Sequence, residues 1–534
     1  MSPKVYLIGL DGASPDFIFT NLRDLSTFKK IVIDGVSGVL ESSIPPVTCP
    51  AWNCLITGKS PESLQLYDWE DFRFDTGPFL SDWSMKNSLT LFEFLSKFDK
   101  KVISLNLPLT YPPRKIKNCI IISGFPLPEN RNDFFYPPTI KKELGEIIRD
   151  HKELNPEAVK LRYTGDYDEF INEINLSIEK TLELAEYFAM YHSHDLFIVV
   201  FTALDRIQHY FWHFIDEKHP KYNYKNKKYV NIIKKTYMKI DRALNTFLKH
   251  IDEDSYIFIV SDHGFGPLYG HFLINNWFIK EKLLVLNLNL IKRIRNSLIN
   301  LALSENIIYQ RLFPKKILKY RFIKKLFATL VGSSVGPSFG LSSLYNSLNL
   351  SKTKAIGLSN GKIYINSDNI LEKKKIVDDI INGMSDLKDP ISGKTLNIKF
   401  YRREHSKYGP DLLVIIEDYK YNTSPKIGGN TIWEIPATQS GGHRVDGVIL
   451  FKGPDVKKHI KIKAKIYDIA PTILHIFGLP IPRDMDGKIL ANLFNSNSKI
   501  IKRKPIYVDV SYYCKYEKEK LKIKIRYLKQ KGKI

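Results

Sequence analysis

Four groups of acidic and imidazole side chains in this 534-residue chain stand where an apolar run meets a polar turn. Asp11 follows Lys4-Val-Tyr-Leu-Ile-Gly-Leu10, and Asp262 and His263 follow Tyr256-Ile-Phe-Ile-Val260. Asp205 and His209 come just after Leu196-Phe-Ile-Val-Val-Phe201, while His443 sits in Gln439-Ser-Gly-Gly-His-Arg444, ahead of Val448-Ile-Leu-Phe451. A carboxylate beside an imidazole at the end of a buried strand is costly unless the two pair or hold a metal. Mixed Asp/His donors suit zinc, and manganese or another divalent ion also fits. Each group has a plain reading as well. Asp11 could cap a helix or turn, Asp205 and His209 could be an exposed pair one helical turn apart, and His443 could be a solvated loop histidine.

A fifth candidate is Thr48, in Ile44-Pro-Pro-Val-Thr-Cys-Pro-Ala-Trp-Asn53. The prolines impose an extended approach, and Pro50 two residues after Thr48 suits a helix start. Thr48 is then an N-cap or a nucleophile beside a helix N-terminus, where N–H groups and the dipole favour a phosphate. The segment by itself favours the cap.

These residues need a frame that gathers strand ends. The run Leu196–Phe201 is continuously apolar, as strands of a parallel sheet are. Helical spacing from Phe170 to Tyr191 (Ile174, Ile178, Leu182, Ala185, Phe188) and again around Val230 to His250 predicts long helices between strands. Lys101–Asn106 and Cys119–Ile122 read as further strands, and Ala355–Asn366 and Asp411–Ile416 return to strand character. Alternation of this kind predicts an α/β fold: an αβα sandwich around a mostly parallel, doubly wound sheet. In such sheets the carboxyl ends of the strands cluster on one edge, where ligands bind. Asp11, Asp205 and Asp262-His263 would all lie there. Asp468, in Tyr467-Asp-Ile-Ala-Pro-Thr472, reads as a helix-start residue instead.

The formal net charge is +23, from 80 basic and 57 acidic residues. It suggests attraction to anions, yet the cations are spread along the chain, which an overall Lys-rich composition explains equally well. No stable nucleic-acid partner is expected. Four scattered cysteines make no disulfide framework. No run approaches the ~20 apolar residues of a membrane span, and the first residues run too soon into Asp11 to be a signal peptide. A cytoplasmic protein is the expectation. Residues 281–350 carry basic amphipathic segments (Arg293, Arg295, Lys315, Lys316, Lys319, Arg321, Lys324, Lys325) and a Gly/Ser-rich break from Gly332 to Gly340. They read as packed helices with a solvated basic face, with membrane-surface contact the lesser reading. The organisation expected is a first core part over 1–280, a basic helical insertion or cap over 281–351, the rest of the core over 352–498, and a basic extension over 499–534.

An ordered set of short matches spans roughly residues 5 to 490. It comprises Ile8-Gly-Leu-Asp-Gly12, Pro46-Val-Thr-Cys-Pro-Ala-Trp52 with Thr57-Gly58, Asp205-Arg-Ile-Gln-His209, Ser261-Asp-His-Gly264, Gly442-His443, and Tyr467–Thr472 with Asp486-Gly487. In this the chain resembles the alkaline phosphatase superfamily, and within it the type I phosphodiesterase/nucleotide pyrophosphatase family. The resemblance implies an alkaline phosphatase-like core acting as a two-metal hydrolase of phosphate esters. Asp11, Thr48, Asp262 and His263 would hold one ion, and Asp205, His209 and His443 the other. Thr48 would be the nucleophile, activated by metal coordination and passing through a phosphothreonine intermediate. The partner implied is a small-molecule phosphate ester or nucleotide.

Two departures stand out. Relatives often carry His-Gly shortly after the Thr-Gly-containing helix, where this chain has Ser63-Leu-Gln-Leu-Tyr67, so the substrate contacts stay unassigned while the metal site is unaffected. The segment 281–350 matches no familiar pattern. A phosphomonoesterase, a phosphonate hydrolase or a phospho-group transferase of the same superfamily is the alternative reading. A basic binding protein without catalysis is a remoter one. A sulfatase is disfavoured: its nucleophile sits in Cys/Ser-x-Pro-x-Arg, whereas Cys49 is followed by Pro50, Ala51, Trp52 and Asn53.

Overall fold

The apolar runs assemble into one nine-stranded sheet. From edge to edge its strands are Ile460–Lys465, Val36–Glu41, Asp446–Lys452, Tyr256–Val260, Val5–Leu10, Leu196–Phe201, Val102–Leu107, Cys119–Ser123 and Phe135–Tyr136. This computed structural model describes residues 3–81, 88–127, 133–141, 166–222, 226–287, 337–403, 409–513 and 516. Val5–Leu10 is the centre, parallel to Leu196–Phe201 along six residues and to Tyr256–Val260 along five. Antiparallel pairing enters only with Asp446–Lys452 and Phe135–Tyr136. The mostly parallel sheet expected from the sequence is present.

Strand side chains alternate between faces, and both faces are covered. Tyr6, Ile8 and Leu10 pack with the helices Ser26–Asp34, Tyr167–Tyr191, Ala203–Phe211 and Ile232–Leu248. Val5 and Leu7 face Thr48–Thr57, Leu91–Lys97 and Ile469–Phe477 on the other side. The result is an αβα sandwich. Tyr167–Tyr191 begins where Asp166 accepts hydrogen bonds from the N–H groups of Asp168 and Glu169, an N-cap that continues the predicted helix three residues towards the N-terminus.

Much of the chain between 355 and 434 builds a second sheet of seven strands, which also takes in Gly270–Leu273. Its own core, with Ile363, Leu412 and Val414, is covered by the helices Ile274–Lys280 and Ile370–Ser385. The basic positions 293–325 and most of the tail lie outside the described residues. The end of the Gly/Ser-rich break differs from expectation: Pro337–Ser347 is a helix, because proline is suited to a first turn. Near the C-terminus, Tyr507–Val508 pairs in parallel with Ile481–Pro482, and Tyr513 is buried. No helix among the described residues is long and apolar enough to cross a membrane.

Candidate active site

The central strands deliver their acidic residues to one place because they run side by side in register. Asp11 follows Leu10, and its N–H donates to Phe201 O of the neighbouring strand. Asp262 follows Val260 by two residues, and its Oδ1 accepts the Gly12 N–H at 3.2 Å. The helix Ala203–Phe211 starts directly past Phe201, and its 3.6-residue period puts Asp205 and His209 on one face, Oδ1 to Nε2 3.3 Å. Gly12 makes the crossing feasible. Its φ is +72°, and a Cβ there would lie 2.9 Å from the Asp205 Cα.

His443 arrives from far along the chain. Gly441–Arg444 forms an antiparallel ribbon with Gly264–Pro267, in which His443 stands opposite Phe265. The Phe265 ring packs edge-on against His209, centroids 4.8 Å apart. Three imidazoles are oriented in the same way. Nδ1 of His209 donates to Gly441 O (3.1 Å), that of His263 to Gly264 O (3.1 Å), and that of His443 to Pro46 O (2.8 Å). A carbonyl only accepts, so each Nδ1 carries a proton, and in the neutral imidazole each Nε2 then presents a lone pair.

Those Nε2 atoms converge. His209 and His443 face each other at 3.0 Å, His443 lies 3.2 Å from Asp205 Oδ1, and His263 lies 3.5 Å from Asp11 Oδ1 and 3.2 Å from Asp262 Oδ2. Two lone pairs at that distance repel unless a proton or a cation lies between them. Asp11 Oδ1, Asp205 Oδ1 and Asp262 Oδ2 are buried without a hydrogen-bond partner. Three orphaned carboxylate oxygens beside three imidazole nitrogens form a donor set that a divalent cation would satisfy. Among the described residues two groups have donor atoms close enough for one ion: Asp11, Asp262 and His263, and Asp205, His263 and His443. His263 stands between them.

Charge in this pocket is balanced accordingly. Burial, then the neighbouring Asp262 and Asp205, push the Asp11 carboxyl well above the usual range. Burial does the same to Asp262, reinforced by Asp205. Burial also works to raise Asp205, but His209 and His443 outweigh it and hold that carboxyl well below its ordinary value. His263 is kept neutral by burial and by His443.

Thr48 opens its helix, but not as the cap. Val47 occupies the N-cap position with extended backbone, and no side chain caps the turn. The half-buried Thr48 hydroxyl is instead 3.2 Å from His263 Nε2. All seven candidates from the sequence (Asp11, Thr48, Asp205, His209, Asp262, His263 and His443) therefore meet. Asp468 stays apart, accepting the N–H groups of Lys465 and Lys488 at a helix start.

Three supporting residues were not singled out in the sequence. Trp52 Nε1 donates to Asp11 Oδ2 at 3.3 Å. Gln208 donates to Gly12 O and Leu204 O, and Tyr237 bonds both the Ser14 N–H and Gln208 Oε1. Trp52 follows Thr48 by one helical turn and Gln208 precedes His209, so proximity in sequence was the only available sign.

Residues 5–328 match the family described as type I phosphodiesterase / nucleotide pyrophosphatase. The chain belongs to this family of phosphate-ester hydrolases. No curated protein matches it in sequence. Among solved structures, an inactive form of murine ectonucleotide pyrophosphatase/phosphodiesterase 5 in complex with AMP is similar, with a TM-score of 0.51 at 11% identity. The similarity covers 92% of this chain and 100% of that one. The same murine protein in a second structure gives a TM-score of 0.50 at 12% identity, with the same coverage. At this identity the similarity establishes the alkaline phosphatase-like fold alone.

Proposed function

We propose that this chain is a two-metal phosphodiesterase or nucleotide pyrophosphatase with Thr48 as its nucleophile. The observation that carries this reading is the convergence of three unpartnered carboxylate oxygens and three Nε2 atoms beside the Thr48 hydroxyl. Asp11, Thr48, Asp262 and His263 would hold one divalent ion, and Asp205, His209 and His443 the other, with His263 close enough to serve both. Zinc suits this Asp/His set best. When bound, such ions supply positive charge that lowers the pKa of a nearby hydroxyl and offsets charge on phosphoryl oxygens.

The chain's own groups do the rest. Thr48 Oγ1 gives its proton to solvent and attacks phosphorus, forming an Oγ1–P bond as the bond to the leaving oxygen breaks and that oxygen departs as an anion or takes up a proton from water. Water then cleaves the phosphothreonine, and the threonine hydroxyl is restored. Backbone carbonyls at 46, 264 and 441 hold the three imidazoles in the tautomer that keeps Nε2 unprotonated. A cavity of about 720 Å³ borders the segments on either side of the Thr48 helix, with Tyr67, Tyr401, Tyr467, Arg402 and Arg403 on its walls. It has room for the organic part of a nucleotide-sized ester.

Metal content measured together with turnover of bis-p-nitrophenyl phosphate and p-nitrophenyl phosphate tests this. Metal-dependent diester cleavage, reduced roughly 10³-fold or more by Thr48→Ala, is expected. Monoester preference would favour a phosphomonoesterase, and tight metal binding without turnover of either ester would refute hydrolysis.

A further inference from the structure

The residue after His443 makes an unusual set of bonds. Arg444 is mostly buried, with 11% of its side chain exposed. Among the described residues its guanidinium donates to backbone carbonyls alone: Nη1 to His443 O (2.8 Å), Tyr419 O (3.2 Å) and Gly442 O (3.3 Å), and Nη2 to Pro267 O (2.5 Å). Those carbonyls belong to three separate segments. Two are on the His443 strand, one is at the end of the partner strand Gly264–Pro267, and one is on the turn Glu417–Tyr419 beside the second sheet.

Both ends of this connection are built to receive it. Glu417, Asp418 and Tyr419 all have left-handed backbone (φ 47°, 52° and 63°), although none is glycine. That turn carries the Tyr419 carbonyl that Arg444 binds, and Asp418 lies 3.9 Å from the guanidinium Nε. On the ribbon, a Cβ at Gly266 would come within 2.6 Å of Arg444 Nε and 2.7 Å of its Cζ and Nη2. Glycine at 266 leaves the space in which the guanidinium lies.

We propose that Arg444 is a positioning residue that sets His443 for metal binding and couples the Glu417–Tyr419 turn to the active site. The proposal rests on the reading of His443 as a metal ligand. The imidazole is anchored by the Nδ1 bond to Pro46 O and by stacking on the His263 ring, centroids 3.8 Å apart. The backbone beneath it is held by Arg444, which bonds the His443 carbonyl itself and locks the strand to its partner. A planar fork of five donors can hold several carbonyls in one fixed geometry, whereas a lysine ammonium acts as a mobile point charge. Removing the fork leaves the ligands unchanged and leaves the strand that presents one of them with only its ladder to Gly264–Pro267 and the Pro46 bond to hold it. Groups that orient metal ligands typically contribute about 10- to 100-fold in affinity or activity.

The test compares wild type, Arg444→Met, Arg444→Lys, Gly266→Ala and His443→Ala in the full chain. It measures zinc bound per chain and its dissociation constant, KM and kcat for bis-p-nitrophenyl phosphate, and the thermal midpoint. Arg444→Met should weaken binding of one zinc about tenfold or more and lower kcat, with KM changed less than about twofold. Guanidinium ion added in solution should restore part of kcat to Arg444→Met, and Arg444→Lys should fall between it and wild type. Gly266→Ala keeps the charge but displaces the fork, so it should give the same zinc phenotype even if Arg444→Met folds poorly. Normal zinc affinity and kcat in both Arg444→Met and Gly266→Ala, with only the thermal midpoint lowered, would overturn the proposal. If His443→Ala itself kept two zinc ions and full turnover, the ligand assignment would have failed instead, and the two failures are thereby distinguished.

Discussion

The Nζ of Lys362 lies 3.0 Å from Oδ1 of Asp71, and both side chains are shut away from water. Lys362 is on a strand of the second sheet, while Asp71 is on the hairpin that follows the Thr48 helix. Asp68 accepts from the same ammonium at 3.0 Å, and Tyr364 donates to Asp71. The two carboxylates outweigh burial and push the Lys362 ammonium up, whereas burial outweighs Lys362 and raises Asp71. Removing one partner strands the other in a dry site. Lys362→Met should therefore cost about 3–5 kcal/mol in chemical unfolding. Lys362→Met combined with Asp71→Asn should recover part of that loss, and strictly additive losses would contradict the coupling.

Gly12→Ala tests the tight crossing at Asp205. The added methyl meets the Asp205 Cα at 2.9 Å, and the left-handed backbone costs a non-glycine residue about 1–2 kcal/mol. Both zinc retention and thermal midpoint should fall. A variant with unchanged metal content would show that Asp205 tolerates displacement.

Stability should fall as the medium becomes acidic, through buried histidines away from the cluster. Burial, with Lys221 and His219 nearby, pushes His213 down to about 4. An unfolded histidine titrates near 6.5. The folded pKa is the lower one, so the stabilising contribution is complete above pH 6.5 and is lost as pH falls towards 4. The full loss is about 3 kcal/mol. His213→Asn, which keeps a hydrogen-bonding group towards Ser440, should flatten the thermal midpoint between pH 7 and 5 relative to wild type. Equal slopes in the two proteins would remove His213 from the account.

Chelation gives a fourth check. If Asp11, Asp205, Asp262 and the three imidazoles hold ions as proposed, those ions would bind the folded chain alone and contribute about 3 kcal/mol when free metal is a hundredfold above its Kd. EDTA should lower the thermal midpoint and zinc should restore it. His443→Ala should show a smaller shift, because one of the two proposed ions loses a ligand.

Much of the central sheet was legible because parallel strands, buried on both faces, are written as unbroken apolar runs that stop at Asp11, Ser261 and Thr202. The site was legible for the same reason: Asp and His at those stops have few inexpensive roles. Thr48 was harder to read. Its neighbours Pro46 and Pro50 do describe a helix start, but the hydroxyl turns to His263, 215 residues away, and no local pattern records that distance. Lys362 and Asp71 were illegible because each looks like an ordinary surface charge until its partner is known. Arg444 was quoted beside His443 without a role, since its four acceptors are backbone carbonyls, which leave no trace in residue identity.

Val5–Leu10, the middle of the sheet, is made before either of its neighbours. Its two neighbours, Leu196–Phe201 and Tyr256–Val260, are about 190 and 250 residues further along. At translation rates of roughly 5–20 residues per second, the apolar edges of that strand wait on the order of 10–50 s for either partner. Until then they resemble any unpaired sheet edge, open to self-association. The core of this enzyme is therefore begun at a strand buried along its whole length, and a nascent chain with this strand order needs shelter until Tyr256–Val260 has been made.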